Sequence, residues 1–211
     1  GWLVQSDHTG DYTALEWGKR YIKDRYNKPG DVFLVPVHRI DRPVSGTIVL
    51  SRTSKALSRM NQLIKDREIT KKYWALSRFP PKQMSGTLEH YIVKKAQKNK
   101  VEAIPLSKRP PAKAKKAKLS YKLIAEVQGL HLLEVQLYTG RPHQIRAQLA
   151  KMGCPIFGDL KYGDAEPLDD LSIGLHSYEM SFIHPVKKEP VSVTSVPMKG
   201  EWWKKFSTFI K

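Results

Sequence analysis

The feature that most restricts the fold is a pair of long apolar-rich segments, Leu119 to Val127 and Leu130 to Tyr138, separated only by Gln128-Gly129. A two-residue connection ending in glycine between two such runs specifies a β-hairpin, because only a tight turn joins antiparallel strands so directly. Further runs of strand character are Val32-Phe33-Leu34-Val35, Gly46-Thr47-Ile48-Val49-Leu50, Lys72 to Leu76, Leu88 to Val93 and Gly174 to Phe182. Helical signals are fewer. Thr13-Ala14-Leu15-Glu16 has capping-box spacing and opens a helix over residues 13–26, which ends before Pro29-Gly30. Ser54 to Arg67 places Ala56, Leu57, Met60, Leu63 and Ile64 on one stripe. A third helix is expected from Pro142 to Met152, with Pro142 in its first turn and Gly153 just past its end. Strands outnumber helices and no repeat is visible. The expectation is therefore an α+β fold, a mixed and largely antiparallel sheet flanked by helices and loops, formed as a single domain over residues 1–211.

Charge narrows the partner. The chain has 37 Lys and Arg against 20 Asp and Glu, a net +17. Ten of the basic residues (Lys94, Lys95, Lys98, Lys100, Lys108, Arg109, Lys113, Lys115, Lys116 and Lys118) lie within residues 94–118, opposed by Glu102 alone. Pro105, Pro110 and Pro111, with the Ala/Lys repetition, predict a basic loop there rather than regular structure. Such a run can be a merely solubilising surface. The rest of the chain is basic as well, however, which favours a polyanionic partner, nucleic acid.

Other classes are disfavoured. No apolar run approaches 18 residues and the first residues lack the pattern of a signal peptide, so a cytoplasmic protein without a membrane partner is expected. The single cysteine, Cys154, fits a reducing compartment. There is no G-x-G-x-x-G, no phosphate loop, and no H-x-x-x-H or H-E-x-x-H spacing among the seven histidines, so neither a nucleotide cofactor nor a metal is expected.

Two segments carry candidate chemistry. His38-Arg39-Ile40-Asp41-Arg42-Pro43-Val44-Ser45-Gly46 sets one carboxylate between two arginines in a loop leaving a strand, and neighbouring cations favour the ionised form. Thr139-Gly140-Arg141-Pro142-His143-Gln144-Ile145-Arg146 is a polar turn feeding a helix. Each also has a plain structural reading: an arginine-held carboxylate bracing a turn, and a helix start that grips a phosphate.

Together these segments resemble the RluA-type pseudouridine synthases. The first is similar to that family's His-Arg-Leu-Asp-x-x-Thr-Ser-Gly signature, and Gly140 to Arg146 to its Gly-Arg-Thr-His-Gln-Ile-Arg segment. Lys71-Lys72-Tyr73-Trp74-Ala75 resembles its Lys-x-Tyr-x-Ala strand, and Gly158-Asp159-x-x-Tyr162-Gly163 extends the likeness. Ile40 replaces the family leucine, while Val44 and Pro142 each replace a threonine. No segment resembling the family's S4 domain is present, and Gly1 suggests a trimmed chain.

The resemblance implies the family's catalytic fold and the conversion of uridine in RNA to pseudouridine, without a cofactor. It implies Asp41 as the carboxylate that either attacks C1′ or deprotonates C2′, and Arg146 as its ion-pair partner. Tyr73 would stack on the target base and is a candidate acceptor of the C5 proton. Ile145 would floor the pocket, and Arg39 would fill the gap left by a flipped-out uridine. Arg141 and the basic residues of 94–118 would bind RNA, a stem-loop of ribosomal or transfer RNA, the protein acting as a monomer. Two rivals remain: a non-catalytic, ribosome-associated RNA-binding protein, and a metal-independent nuclease using His143 or His38 as base.

Overall fold

The structure, a computed structural model, describes residues 1–95 and 99–210. In chain order the elements are α1 (Ala14–Arg25), β1 (Val35–Pro36), β2 (Ser45–Gly46), β3 (Leu50–Ser51), α2 (Ser54–Asp66), β4 (Thr70–Ser77), β5 (Ser85–Lys95), β6 (Lys100–Pro105), β7 (Lys115–Val127), β8 (Leu130–Leu137), α3 (Gln144–Met152), a 3-10 turn (Leu160–Tyr162), β9 (Leu175–Ile183), β10 (Pro190–Thr194) and α4 (Glu201–Lys204). An eight-stranded sheet runs in the order β10-β9-β4-β8-β7-β5-β6, with β2 added beside β9. Every pairing in it is antiparallel except β2 with β9, so the expected mixed, largely antiparallel α+β architecture is the one formed.

Local chemistry explains the well-anticipated elements. Thr13 caps α1 through its hydroxyl, and Glu16 returns a bond to the Thr13 N–H at 2.7 Å, completing the box. Gln128 and Gly129 both have positive φ, the backbone a two-residue hairpin turn demands. Thr53 caps α2, and Arg67 closes it in the left-handed region.

Alternation along the strands divides the apolar residues between two faces. Tyr73, Ala75, Leu119, Tyr121, Leu133, Val135 and Leu137 cover one face and pack against Ile145 and Leu149 of α3. Trp74, Leu76, Leu132 and Tyr178 cover the other, against Trp203, Phe206 and Ile210 near the C-terminus. Trp74 and Tyr178 stack there with centroids 4.1 Å apart.

Three expectations need correction. Residues 94–118 are not one loop. β5 extends to Lys95, Lys100–Pro105 forms β6 paired with β5, and β7 already begins at Lys115. Val101, Ala103 and Ala117 alternate with the charged residues and turn inward onto Ile92, Ala147 and Tyr162, which outweighs the local Pro and Lys content. Pro110 and Pro111 lie in the irregular connection between β6 and β7. Lys98 lies outside the described residues. Secondly, the runs 32–35 and 46–50 yield only the two-residue strands β1, β2 and β3. Gly46 has φ +121, and a Cβ there would stand 2.3 Å from the Ser177 carbonyl oxygen, so only glycine fits where β2 meets β9. Thirdly, Pro142 precedes α3 rather than opening it, and the boundary residue His143 is left-handed, φ 50. β10 and α4 are elements that none of the sequence patterns above predicts.

Candidate active site

The loop between β1 and β2 presents Asp41. The Val44 N–H donates to the Asp41 carbonyl at 2.9 Å and closes a four-residue turn, Val44 itself is buried in the core, and the Pro43 carbonyl accepts from the Ile173 N–H at 3.0 Å. His38 accepts the Val49 N–H on Nε2, which requires that nitrogen to be unprotonated. Burial, aided by the charge of Lys71, lowers the His38 pKa to about 4. The loop is thereby fixed at both ends, while the Asp41 side chain keeps 27% of its surface exposed.

The arginines flanking Asp41 do not supply its cation. Arg42 donates to Asp11 at 2.7 Å and to the Gly1 carbonyl at 3.0 Å, and Arg39 is exposed with no hydrogen bond to any described residue. The cation comes from 105 residues along the chain: Arg146 Nη1 donates to Asp41 Oδ2 at 3.2 Å. Arg146 is buried and is itself gripped by Asp159, with Nε and Nη2 donating to the two carboxylate oxygens at 2.7 and 2.8 Å. Burial opposes its charge, but the bonds and charge of Asp159, and then of Asp41, outweigh that and raise its pKa. The paired N–H fork fixes the guanidinium plane and leaves Nη1 to donate to Asp41.

The loop before α3 is held just as closely. Gln144 Oε1 accepts from the Thr139 hydroxyl and the Arg141 N–H, while Nε2 donates to the Lys118 carbonyl. Arg141 Nε donates to the Lys116 carbonyl, so part of its donor capacity is structural. The His143 ring lies between Asp41 and Tyr162: Nε2 is 3.9 Å from Asp41 Oδ2 and Nδ1 is 2.9 Å from the Tyr162 hydroxyl. Because the Tyr162 oxygen also accepts the Val101 N–H at 2.9 Å, the β5–β6 hairpin is tied to the site. Burial lowers the His143 pKa, with Asp41 opposing.

Tyr73 and Ile145 are buried in the same cluster beneath this network. Burial raises the Tyr73 pKa, with Ser177 opposing and the Asp41 charge adding to the rise. Of the basic residues singled out, Lys94, Lys95, Lys108, Arg109, Lys113, Lys115, Lys116 and Lys118 are exposed, whereas Lys100 is half-buried with Nζ 5.0 Å from the centre of the Tyr162 ring. Lys95 and Lys118 are paired with Glu102 and Glu89. Asp159 and Tyr162 stand in the sequence motif of residues 158–163 without a role of their own, and His143 has a sequence-based role only in the nuclease alternative, yet all three belong to this network.

A sequence model described as RNA pseudouridylate synthase matches residues 1–151. A Mycoplasma genitalium protein named an uncharacterized RNA pseudouridine synthase is 32% identical over 88% of this chain and 57% of its own length. A Vibrio parahaemolyticus tRNA pseudouridine synthase C is 28% identical over 82% of this chain and 76% of its own. This chain spans about half the length of several curated relatives it matches, 57%, 51% and 44% for three of them. The fold is also that of human RNA pseudouridylate synthase domain containing 4, with a TM-score of 0.77 over 97% of this chain and 84% of that one, at 20% identity. With the family model covering most of its residues, the chain belongs to the RNA pseudouridylate synthase family.

Proposed function

We propose that this chain isomerises uridine to pseudouridine in structured RNA, with Asp41 as the reacting carboxylate. The observation that carries this reading is the approach of Arg146 to Asp41 at 3.2 Å, which joins two motifs far apart in the chain at one half-open carboxylate. Oδ2 of Asp41 faces both Arg146 and His143, while Oδ1 accepts no hydrogen bond from the described residues. Oδ1 is therefore the oxygen available to substrate.

The reaction breaks the bond from uracil N1 to ribose C1′, turns the base, joins C5 to C1′ and releases the C5 proton. Asp41 acts at C1′ as nucleophile or at C2′ as base; both roles need a carboxylate oxygen, and Arg146 holds the other oxygen in place. Asp159 fixes Arg146, so the cation is in place before RNA arrives and costs little reorganisation during the reaction. Tyr73 supplies an aromatic face for the base and Ile145 an apolar floor, which retain uracil once it is detached. The exposed Arg39 is free to enter the stack where the uridine left it. Unpaired loops offer bases that can leave the stack, so a ribosomal or transfer RNA stem-loop is the target class on this reading. The exposed lysines of β5, β7 and the β6–β7 connection add attraction to phosphates. The protein acts as a monomer in the cytoplasm, a compartment that suits its buried free thiol, Cys154.

The test is release of tritium from RNA labelled at uridine C5, followed without added metal or nucleotide. Label in water with the strand intact supports the isomerase. RNA bound but unchanged marks a binding protein, and a shortened strand marks a nuclease; either result overturns the reading.

A further inference from the structure

Just after its first residue, Thr70, β4 carries two adjacent lysines, Lys71 and Lys72, which point to opposite faces of the sheet. Lys72 Nζ is paired with Glu179 at 2.9 Å. Lys71 shares its face with Tyr73 and has no carboxylate partner among the described residues. It is half-buried, and burial lowers its pKa with no opposing charge to offset the cost. Its ammonium lies against Gly140, where a Cβ would stand 3.5 Å from Nζ. On another side is His38, lowered in pKa by burial and then by the charge of Lys71; its Nε2 already accepts the Val49 N–H, and an imidazole carries no negative charge to pair with an ammonium. Lys71 thus sits in the seam between the loop that presents Asp41 and the loop that leads to Arg146.

A cation in such a place is costly unless something pairs with it, and the described residues place no carboxylate against it. The neighbouring centre sharpens the point. There Arg146 is shared by two carboxylates, Asp41 and Asp159, a net −1 that repels an arriving phosphodiester. We infer that Lys71 is a phosphate subsite, its ammonium receiving one backbone phosphate immediately beside the target uridine. This rests on the reading above for where that uridine sits. Lys71 and Tyr73 are two residues apart on one strand face, about 7 Å along it, which places the ammonium within one nucleotide of the stacked base. A lysine acts on phosphate as a point charge, so the subsite positions the strand without reading base identity. It differs in kind from the exposed lysines of β5 and β7, which contribute a diffuse field.

The experiment is a cycle between protein and RNA. Wild type, Lys71→Gln and Lys71→Arg are titrated at several salt concentrations with an RNA stem-loop bearing one loop uridine. The loop is one from which wild type releases C5 tritium or, if none does, the loop bound most tightly. The same RNA is made with an uncharged methylphosphonate at the phosphate on either side of that uridine. One methylphosphonate should weaken wild-type binding roughly tenfold or more and Lys71→Gln should weaken unmodified RNA equally, with the salt slope falling by about 0.7–0.9. That methylphosphonate should then add nothing to Lys71→Gln, and Lys71→Arg should keep most of the affinity. Equal penalties in wild type and Lys71→Gln at both positions, or an unchanged salt slope, overturn the subsite. If Lys71→Gln does not fold, the wild-type scan decides: no penalty at either phosphate overturns it. Absence of tritium release from every RNA sinks the isomerase reading alone, since the binding cycle still reports on Lys71.

Discussion

Replacing Asp159 by asparagine tests how the cation of the site is held. Asp159 and Arg146 have side-chain exposures of 1% and 5%, and two N–H···O bonds of 2.7 and 2.8 Å join them. Asparagine keeps the shape, but its one carbonyl oxygen accepts only one of those N–H groups, and its NH₂ faces the other donor to donor. Removing one partner of a buried pair in this way costs about 3–5 kcal/mol. For a chain of this size each kcal/mol lowers Tm by about 2–4 °C, so a fall of roughly 6–20 °C is expected. The site should suffer as well. With only Asp41 left as a carboxylate, the freed guanidinium turns its fork onto Asp41 and occupies Oδ1, the oxygen reserved for substrate. Single-turnover tritium release at saturating RNA should therefore slow while RNA affinity is nearly kept. The assay is a thermal melt at pH 7 beside that single-turnover rate. A Tm within about 3 °C of wild type together with an unchanged rate would refute the reasoning, because a positioning bond that is both cheap and inert positions nothing.

Stability should fall on mild acidification, since the folded-state pKa of His38 lies near 4 against 6.5 for the free side chain. The unfolded chain binds the extra proton between those values, so stability is full above about pH 6.5 and drops by about 2 kcal/mol by pH 5; urea melts at pH 7 and 5 measure it, and His38→Asn should flatten the difference. His90, His143 and His176, also lowered in pKa chiefly by burial, add to the wild-type loss with the same sign. Gly46→Ala should cost more than about 2 kcal/mol in the same assay, through a φ of +121 and the collision with the Ser177 backbone. Changing Lys108, Arg109 and Lys113 together to alanine should weaken RNA binding at low salt and reduce the salt slope by about 2–3, leaving Tm nearly unchanged; an unchanged slope would make that turn a bystander.

Elements that advertise themselves locally were legible in the sequence. The Thr13–Glu16 box, the α2 stripe and the Gln128-Gly129 turn each satisfy their own backbone groups, so tertiary context had nothing to override. The β6 strand was hidden because its signal, Val101 and Ala103 alternating among polar neighbours, is weak beside the prolines and lysines around it. It becomes a strand by pairing with β5 and by lending the Val101 N–H to Tyr162, contacts that no local window contains. At the site, the two motifs and Asp41 could be quoted from the sequence, and the family resemblance also pointed to Arg146 as its partner. Adjacency in the chain also suggests Arg39 and Arg42, whereas Arg42 is drawn to Asp11 and, of these three arginines, Arg146 is the one that reaches the carboxylate. Asp159 was overlooked as an anchor because a bidentate partner thirteen residues from Arg146 follows no helical spacing.

The most direct measurement compares wild type with Asp41→Asn in a single-turnover tritium-release assay, alongside RNA binding by the same preparations. The substitution removes the charge but little volume, so RNA should bind at least as well while turnover drops by about a thousandfold or more. Turnover within about a hundredfold of wild type, by a variant that still binds RNA, would contradict a reaction built on this carboxylate.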